Sequence, residues 1–497
     1  MWCAESGERI IFTQPTKKLL KKSLVEMEKL RKKAGQPFIL KLIDSDDSTT
    51  TVRDITTFLN NGGYPKDEYV EGKGVVLLCT NEAFFRLPYF DNEDRWHLIM
   101  DEPTDLHEHR FILPLPLLYE QIHNQFLANY LTSVPSGIPG YDLLQPNNDA
   151  FDTIAADKDD DRGVRDLLSP LLCKLRRRGG ESYWKVYVRE GHGLLTSDER
   201  EFRDTLVADM IPTPAFFVRF KTTTLIAANI ENQFFLHYYM SQGIQFIEHS
   251  LIAKEMEKQW KESGGDGHNR NHLIQIYYGY WMDWSKRARD RDGGRKMKAL
   301  VKAIVDLVGD RQFLYIANKD VPRNIFVSIP GANDIMEDGY PRVCRMDNKP
   351  HGRNDYRHRN IVVVLTATLP TPSHSKFLQD VLGLTDIQIR NRMMRDTIHQ
   401  AVTRSSIRDP ENEQEKLVIV PDVASSEYES KQFPGCPFPK QLDIRLEEIV
   451  KPAGRPKVHA NAAERQRAYW QRNTEEKRKM KVAERMKRKR AGGNRGD

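Results

Sequence analysis

A buried apolar run that stops on two adjacent carboxylates constrains this chain more than any other stretch. In WHLIMDEPTD (Trp96–Asp105), Leu98, Ile99 and Met100 deliver Asp101 and Glu102 to the tip of a predicted strand. Apolar strands of this kind belong to sheets covered on both faces, with polar residues collected at their carboxyl ends. Two carboxylates in that place can hold a divalent metal and polarise a water. The plainer reading of the pair alone is an acidic turn after a core strand.

The neighbours of this run set the fold class. Arg9–Phe12 (RIIF) is a short apolar run broken by Gln14-Pro15-Thr16. The helical spacing of Leu19, Leu20, Leu24, Met27 and Leu30 follows. GVVLLC (Gly74–Cys79) is a second strand and the run ending at Asp101 a third, so an open, mostly parallel α/β sheet is expected. A β-rich run from Lys221 breaks at Asn229. The alternation resumes near Gly294 with an amphipathic helix closed by Gly309. QFLYIANKD, NIFVSIPG, IVVVLTATL, a helix around Asp380 to Arg395, and KLVIVPD come after it. These make a second α/β unit. The expected organisation is a first domain over 1–290 with an insertion around 140–219, a second over 291–450, and a tail over 451–497. NNDAFDTIAADKDDDRG reads as an exposed acidic loop and CKLRRRGGES as a basic turn, both surface insertions without chemistry.

Composition excludes several classes. No apolar run approaches the roughly 20 residues that span a bilayer, and the start lacks a basic segment followed by an apolar one. Cys3, Cys79, Cys173, Cys344 and Cys436 form no C-x-x-C pair, so neither a disulfide framework nor a zinc site is indicated. A cytoplasmic setting without membrane contact is expected.

The net charge of +6 is unevenly spread. From Gly454 to Asp497 there are fifteen Lys/Arg against five Asp/Glu, a balance of +10 that leaves the rest of the chain at −4. Arg455 and Lys457 flank Pro456 in a basic turn of the kind that enters an A·T-rich minor groove. The remainder is rich in helix formers and poor in large apolar residues. It is expected to be disordered or helical and to order only on a polyanion, DNA or RNA. A solvated tail without a specific partner is the plainer alternative.

Taken in order, these segments resemble the motif series of superfamily-two helicases of the DEAD/DEAH type. IIFTQPTKKL resembles motif Ia, with Pro15 and Thr16 turned to a nucleic-acid backbone. VVLLCTNEAFFRL resembles the following strand and turn, with Thr80 as another backbone contact. LIMDEPTD resembles motif II. TTTLIAANIE stands where motif III would come, though Ala228-Asn229-Ile230 departs from Ser-Ala-Thr. HGRNDY (His351–Tyr356) resembles a divergent motif V, and IHQAVTRSSIRDP resembles motif VI. The resemblance implies two RecA-like parallel-sheet domains that hydrolyse ATP with Mg2+ while moving on DNA or RNA. Asp101 would hold the metal through water and Glu102 would polarise the attacking water. Arg404 and Arg408 would stabilise charge on the γ-phosphoryl, and Gln400 would sense the nucleotide. Spaced by four, Gln400, Arg404 and Arg408 would share one helix face. The usual spacing sets the last arginine one residue earlier, which makes Arg404 the firmer candidate.

One part of the series is absent from this sequence. No G-x-x-x-x-G-K-S/T phosphate loop occurs, and Met1 lies just before the motif Ia strand. The first domain is therefore expected to be incomplete, lacking a central strand. The chain would be a fragment, half of a split enzyme whose partner or upstream segment supplies the loop, or a helicase-derived protein that only binds DNA or RNA. A nuclease built on Asp101, Glu102 and Asp105 finds no accompanying carboxylate or lysine cluster.

Overall fold

A computed structural model describes residues 6–444 except 35–37, 46–49, 64–72, 88–89, 104–107, 115–130, 148–174, 176, 179–180, 190–204, 228, 263–269, 347–355 and 410. Arg455 and Lys457, most of HGRNDY and nearly all of the acidic loop lie outside these residues. Residues 445–497 lie outside them as well.

Strand β1 (Arg9–Gln14) passes through Pro15 and Thr16 into helix α1 (Lys17–Ala34). The helix has no acidic residue in its first turn, so packing rather than its dipole holds it. Leu20 is fully buried against Ile10, Val76 and Leu78, with Leu24 and Met27 alongside, while Leu30 is exposed. Burying one such leucine contributes about 1.5–3 kcal/mol. Strands β2 (Ile39–Leu42), β3 (Val75–Thr80) and β4 (Trp96–Asp101) follow. Ile11, Val75, Leu77, Cys79, Leu98 and Met100 fill the opposite face of the sheet. Both faces are covered, as a parallel sheet requires.

Residues 108–212 hold a sheet that the sequence did not lead us to expect. Its strands are β5 (Glu108–Pro114), β6 (Leu131–Pro135), β7 (Tyr141–Pro146), β10 (Trp184–Arg189) and β11 (Thr205–Pro212), antiparallel in the order β5-β11-β10-β7-β6. The expected basic turn contains a small hairpin of β8 (Arg177–Arg178) and β9 (Glu181–Ser182). The sheet escaped notice because Val186, Tyr187 and Val188 are all buried, which erases the two-residue alternation of a half-exposed strand.

Strand β12 (Thr222–Ile226) then returns to the first sheet, whose order is β12-β4-β1-β3-β2, all parallel. The ladder runs without a gap.

The second sheet is also parallel. It comprises β13 (Ile274–Tyr280), β14 (Phe313–Ile316), β15 (Val343–Met346), β16 (Ile361–Val364), β17 (Lys416–Asp422) and β18 (Lys440–Gln441), in the order β15-β14-β16-β17-β13-β18. Its strands thus begin at Ile274. Helix α2 (Lys286–Val308) covers it and ends at Gly309, whose φ of 60° is readily adopted by glycine. The chain is α/β with two parallel sheets, as expected. NIFVSIPG forms turns instead of a strand, because Phe326 packs edge-on against Phe313 at 5.0 Å and Tyr315 at 5.1 Å. The helix expected around Asp380–Arg395 is broken. Gly383 (φ 67°) interrupts it, helix Asp386–Arg390 starts on a Thr385–Gln388 capping box, and Asn391–Arg395 widens into a π turn. Helix α3 (Asp396–Val402) continues from there, and helix α4 (Val423–Gln432) follows β17. Among the described residues no helix is long and apolar enough to cross a membrane.

Candidate active site

Parallel register brings four strand ends level. Gln14 of β1 pairs with Thr80 of β3, Thr13 of β1 with Met100 of β4, and Asp101 of β4 with Ile226 of β12. Gln14, Thr80 and Asp101 therefore stand side by side at the carboxyl edge, where ligands of α/β sheets collect. Gln14 is buried. Its Nε2 donates to Asp101 Oδ2 at 2.8 Å, and its Oε1 accepts from Ser23 Oγ of α1 at 2.9 Å. Asn81 Nδ2 donates to the carbonyl oxygens of Asp101 and Glu102, each at 3.3 Å. Glu102 has φ 47°, a conformation rare outside glycine, and its amide donates to the Ile226 carbonyl at 2.7 Å. Backbone strain held by hydrogen bonds on both sides is a common mark of functional positions.

Thr16 and Thr80 both cap helices. The Thr16 hydroxyl accepts from the Leu19 amide at 3.3 Å, and the Thr80 hydroxyl from the Ala83 amide at 3.1 Å, opening the short helix Asn81–Phe85. With Pro15 they lie directly after β1 and at the end of β3, on the same sheet edge as Asp101.

Gln400, Arg404 and Arg408 do not share a helix. Helix α3 ends at Val402, so Gln400 lies on it, Arg404 in the following turn, and Arg408 in the 3-10 turn Ser406–Arg408. The helix stops because Ser405 Oγ bonds to the Val402 carbonyl at 2.7 Å, and the Ser406 amide reaches the Arg359 carbonyl at 3.0 Å. Ser405, Ser406 and Ile407 are buried in the process. The turn nevertheless brings Arg404 within electrostatic range of Glu102, with Arg408 beside it. Arg404 is only 8 % exposed; burial lowers the basicity of its guanidinium, as does Arg408 beside it, while Glu102 opposes them. Arg404 Nε has no hydrogen-bond partner among the described residues. Gln400 is half-buried and Arg408 exposed.

A second polar cluster joins the two sheets and was missed from sequence. Asp396 of α3 is buried, and its Oδ1 accepts from Tyr428 Oη of α4 at 2.6 Å, Asn232 Nδ2 at 3.0 Å and Asn229 Nδ2 at 3.3 Å. Both asparagines lie just after β12. Burial pushes the Asp396 carboxyl above its usual value, opposed by Tyr428 and by Arg392 at 3.8 Å. Beside it, His399 meets Glu429 at 3.1 Å, and complete burial raises the Glu429 carboxyl. A carboxylate whose folded pKa is raised stabilises the fold most when protonated, and that contribution fades as pH rises through the folded pKa. Asp396→Asn keeps an acceptor and removes the buried charge. Its melting temperature should exceed wild type at alkaline pH, with the gap closing as the pH falls and the wild-type carboxyl, raised by its burial, takes up its proton. A less stable variant at the higher pH would mean that the anion's hydrogen bonds outweigh its desolvation.

Among the described residues no group of three or more His, Cys, Asp or Glu could hold a metal. A magnesium ion at Asp101 would have to rely on water and phosphate oxygens, which is how Mg2+ is ordinarily held beside nucleotides. The donor set fits that use.

No family model matches the chain, and no curated protein does. Solved structures give loose likenesses. A structure described as XPD helicase aligns over 87 % of this chain and 91 % of its own, with 12 % identity and a TM-score of 0.43. Xpd4 of S. tokodaii aligns over 88 % and 97 %, with 10 % identity and a TM-score of 0.37. A Dbp5 variant of S. cerevisiae bound to RNA and ADP BeF3 aligns over 89 % and 79 %, with 10 % identity and a TM-score of 0.30. Scores at this level say nothing of what this chain binds.

Proposed function

We propose that this chain carries the carboxylate and arginine halves of a nucleic-acid-dependent ATP hydrolase of the helicase type. The observation behind this reading is Arg404. It is a buried guanidinium from the second sheet's side, held in the field of Glu102 at the tip of the first, with an Nε that meets no acceptor among the described residues. Burying a cation without a carboxylate bond is costly, and an anionic ligand between the sheets would relieve that cost.

In this mechanism Asp101 would hold Mg2+, which would supply charge neutralisation on the phosphates. Glu102 accepts hydrogen-bonding from the attacking water and orients it. Arg404, with Arg408 behind it, offers positive charge to the γ-phosphoryl, and Gln400 contacts the nucleotide. Pro15-Thr16 and Thr80 bind one nucleic-acid strand. Hydrolysis by this route needs a phosphate loop, and no G-x-x-x-x-G-K-S/T motif occurs in this sequence.

The second reading is a DNA- or RNA-binding protein without turnover, favoured by the lack of a phosphate loop in this sequence and by the basic tail. Removing Gly454–Asp497 separates the two. With the loop segment present, the hydrolase should keep oligonucleotide-stimulated ATP turnover after the deletion. Absence of stimulated turnover in the undeleted protein, with affinity and salt dependence both lost on deletion, would establish the binding reading instead.

A further inference from the structure

We propose that Gln14 is a positioning residue that couples nucleic-acid contact at Pro15-Thr16 to the orientation of Asp101. The inference rests on the reading of the site given above. Both ends of the Gln14 amide are engaged: Nε2 with Asp101 Oδ2, Oε1 with Ser23 Oγ. Reversing the amide would set its oxygen against a carboxylate, so the bond to Asp101 fixes which way it points. That bond holds one oxygen of Asp101 and thereby the direction of the other.

The two anchors of Gln14 both meet the strand-binding segment. Its backbone runs directly into Pro15, whose ring locks φ and transmits displacement stiffly. Ser23 rides on α1, the helix that Thr16 caps. A nucleic-acid backbone seated on Pro15-Thr16 therefore acts on the backbone of Gln14 and on the helix carrying its partner. The Gln14 side chain links that segment to Asp101 by a direct hydrogen bond. By linkage, a ligand at Asp101 acts on strand binding to the same extent.

The test uses the full chain, Mn2+ with ATP as the probe of the carboxylates, since the ion needs phosphate oxygens beside Asp101, and a single-stranded oligothymidylate. Mn2+ affinity is read by electron paramagnetic resonance with and without the oligonucleotide. In wild type, affinity should depend on Asp101, fall in Asp101→Asn, and rise when the oligonucleotide is added. Gln14→Met should weaken Mn2+ by about tenfold, the usual scale for a partner behind a metal ligand, and abolish the response to the oligonucleotide. Ser23→Ala, at a half-buried helix position, removes the tie between the amide and α1 and should reduce the response, which keeps the test decisive should Gln14→Met fold poorly. A full response in Gln14→Met or an unchanged one in Ser23→Ala overturns the coupling while leaving the carboxylate site standing, and so does a wild-type affinity indifferent to the oligonucleotide. Mn2+ binding that ignores Asp101→Asn overturns the site reading and the coupling with it.

Discussion

Glu102→Gln is expected to lower ATP turnover roughly a thousandfold, the scale of a positioned base, without loss of ATP binding. The measurement is steady-state hydrolysis and nucleotide binding in the protein supplied with its phosphate loop. The substitution is clean because the unusual conformation of Glu102 is held by its backbone. Its amide bonds to Ile226 and its carbonyl to Asn81, and both bonds survive in glutamine. Only the negative charge that would orient water is lost. Wild-type turnover in the variant removes Glu102 from the mechanism.

Arg404→Met is the second large effect, and it separates function from stability. Stimulated hydrolysis should fall by about a thousandfold or more, the usual worth of an arginine finger. The melting temperature should hold or rise, since a buried cation whose Nε has no acceptor is replaced by an apolar chain of similar length. Thermal unfolding followed beside the activity assay decides it. A variant that unfolds early assigns Arg404 a structural bond with the body of the second sheet. Arg408, exposed and one step further out, should cost less.

The sequence was most readable where apolar strands end abruptly. IIF, GVVLLC and LIMD predicted β1, β3 and β4 because their apolar runs stop at the sheet edge where Gln14, Thr80 and Asp101 stand. KLVIVPD likewise becomes β17, every residue of which is buried. The antiparallel sheet was hidden because Tyr187 is buried between two buried valines and its strands come from separated segments. The spacing of Gln400, Arg404 and Arg408 suggested one helix face, but periodicity takes no account of a serine that turns the chain back into the core. Asp396 was invisible for a different reason. Its partners Asn229, Asn232 and Tyr428 lie far away in sequence, and only the fold makes one cluster of them.

The aromatic core of the first sheet has a consequence for how the chain reaches its native state. Phe377, which follows β16 of the second sheet, sits 5.7 Å from both Tyr141 and Tyr187 of the antiparallel sheet and shares their apolar cluster. The N-terminal sheet therefore cannot finish packing until most of the polypeptide has been made. On a ribosome it would wait with tyrosines uncovered while the second sheet emerges. Contacts of such long range slow folding and lengthen exposure to aggregation. Cotranslational folding here is expected to end in one late step that closes both halves together, with the nascent first half needing protection until Phe377 arrives.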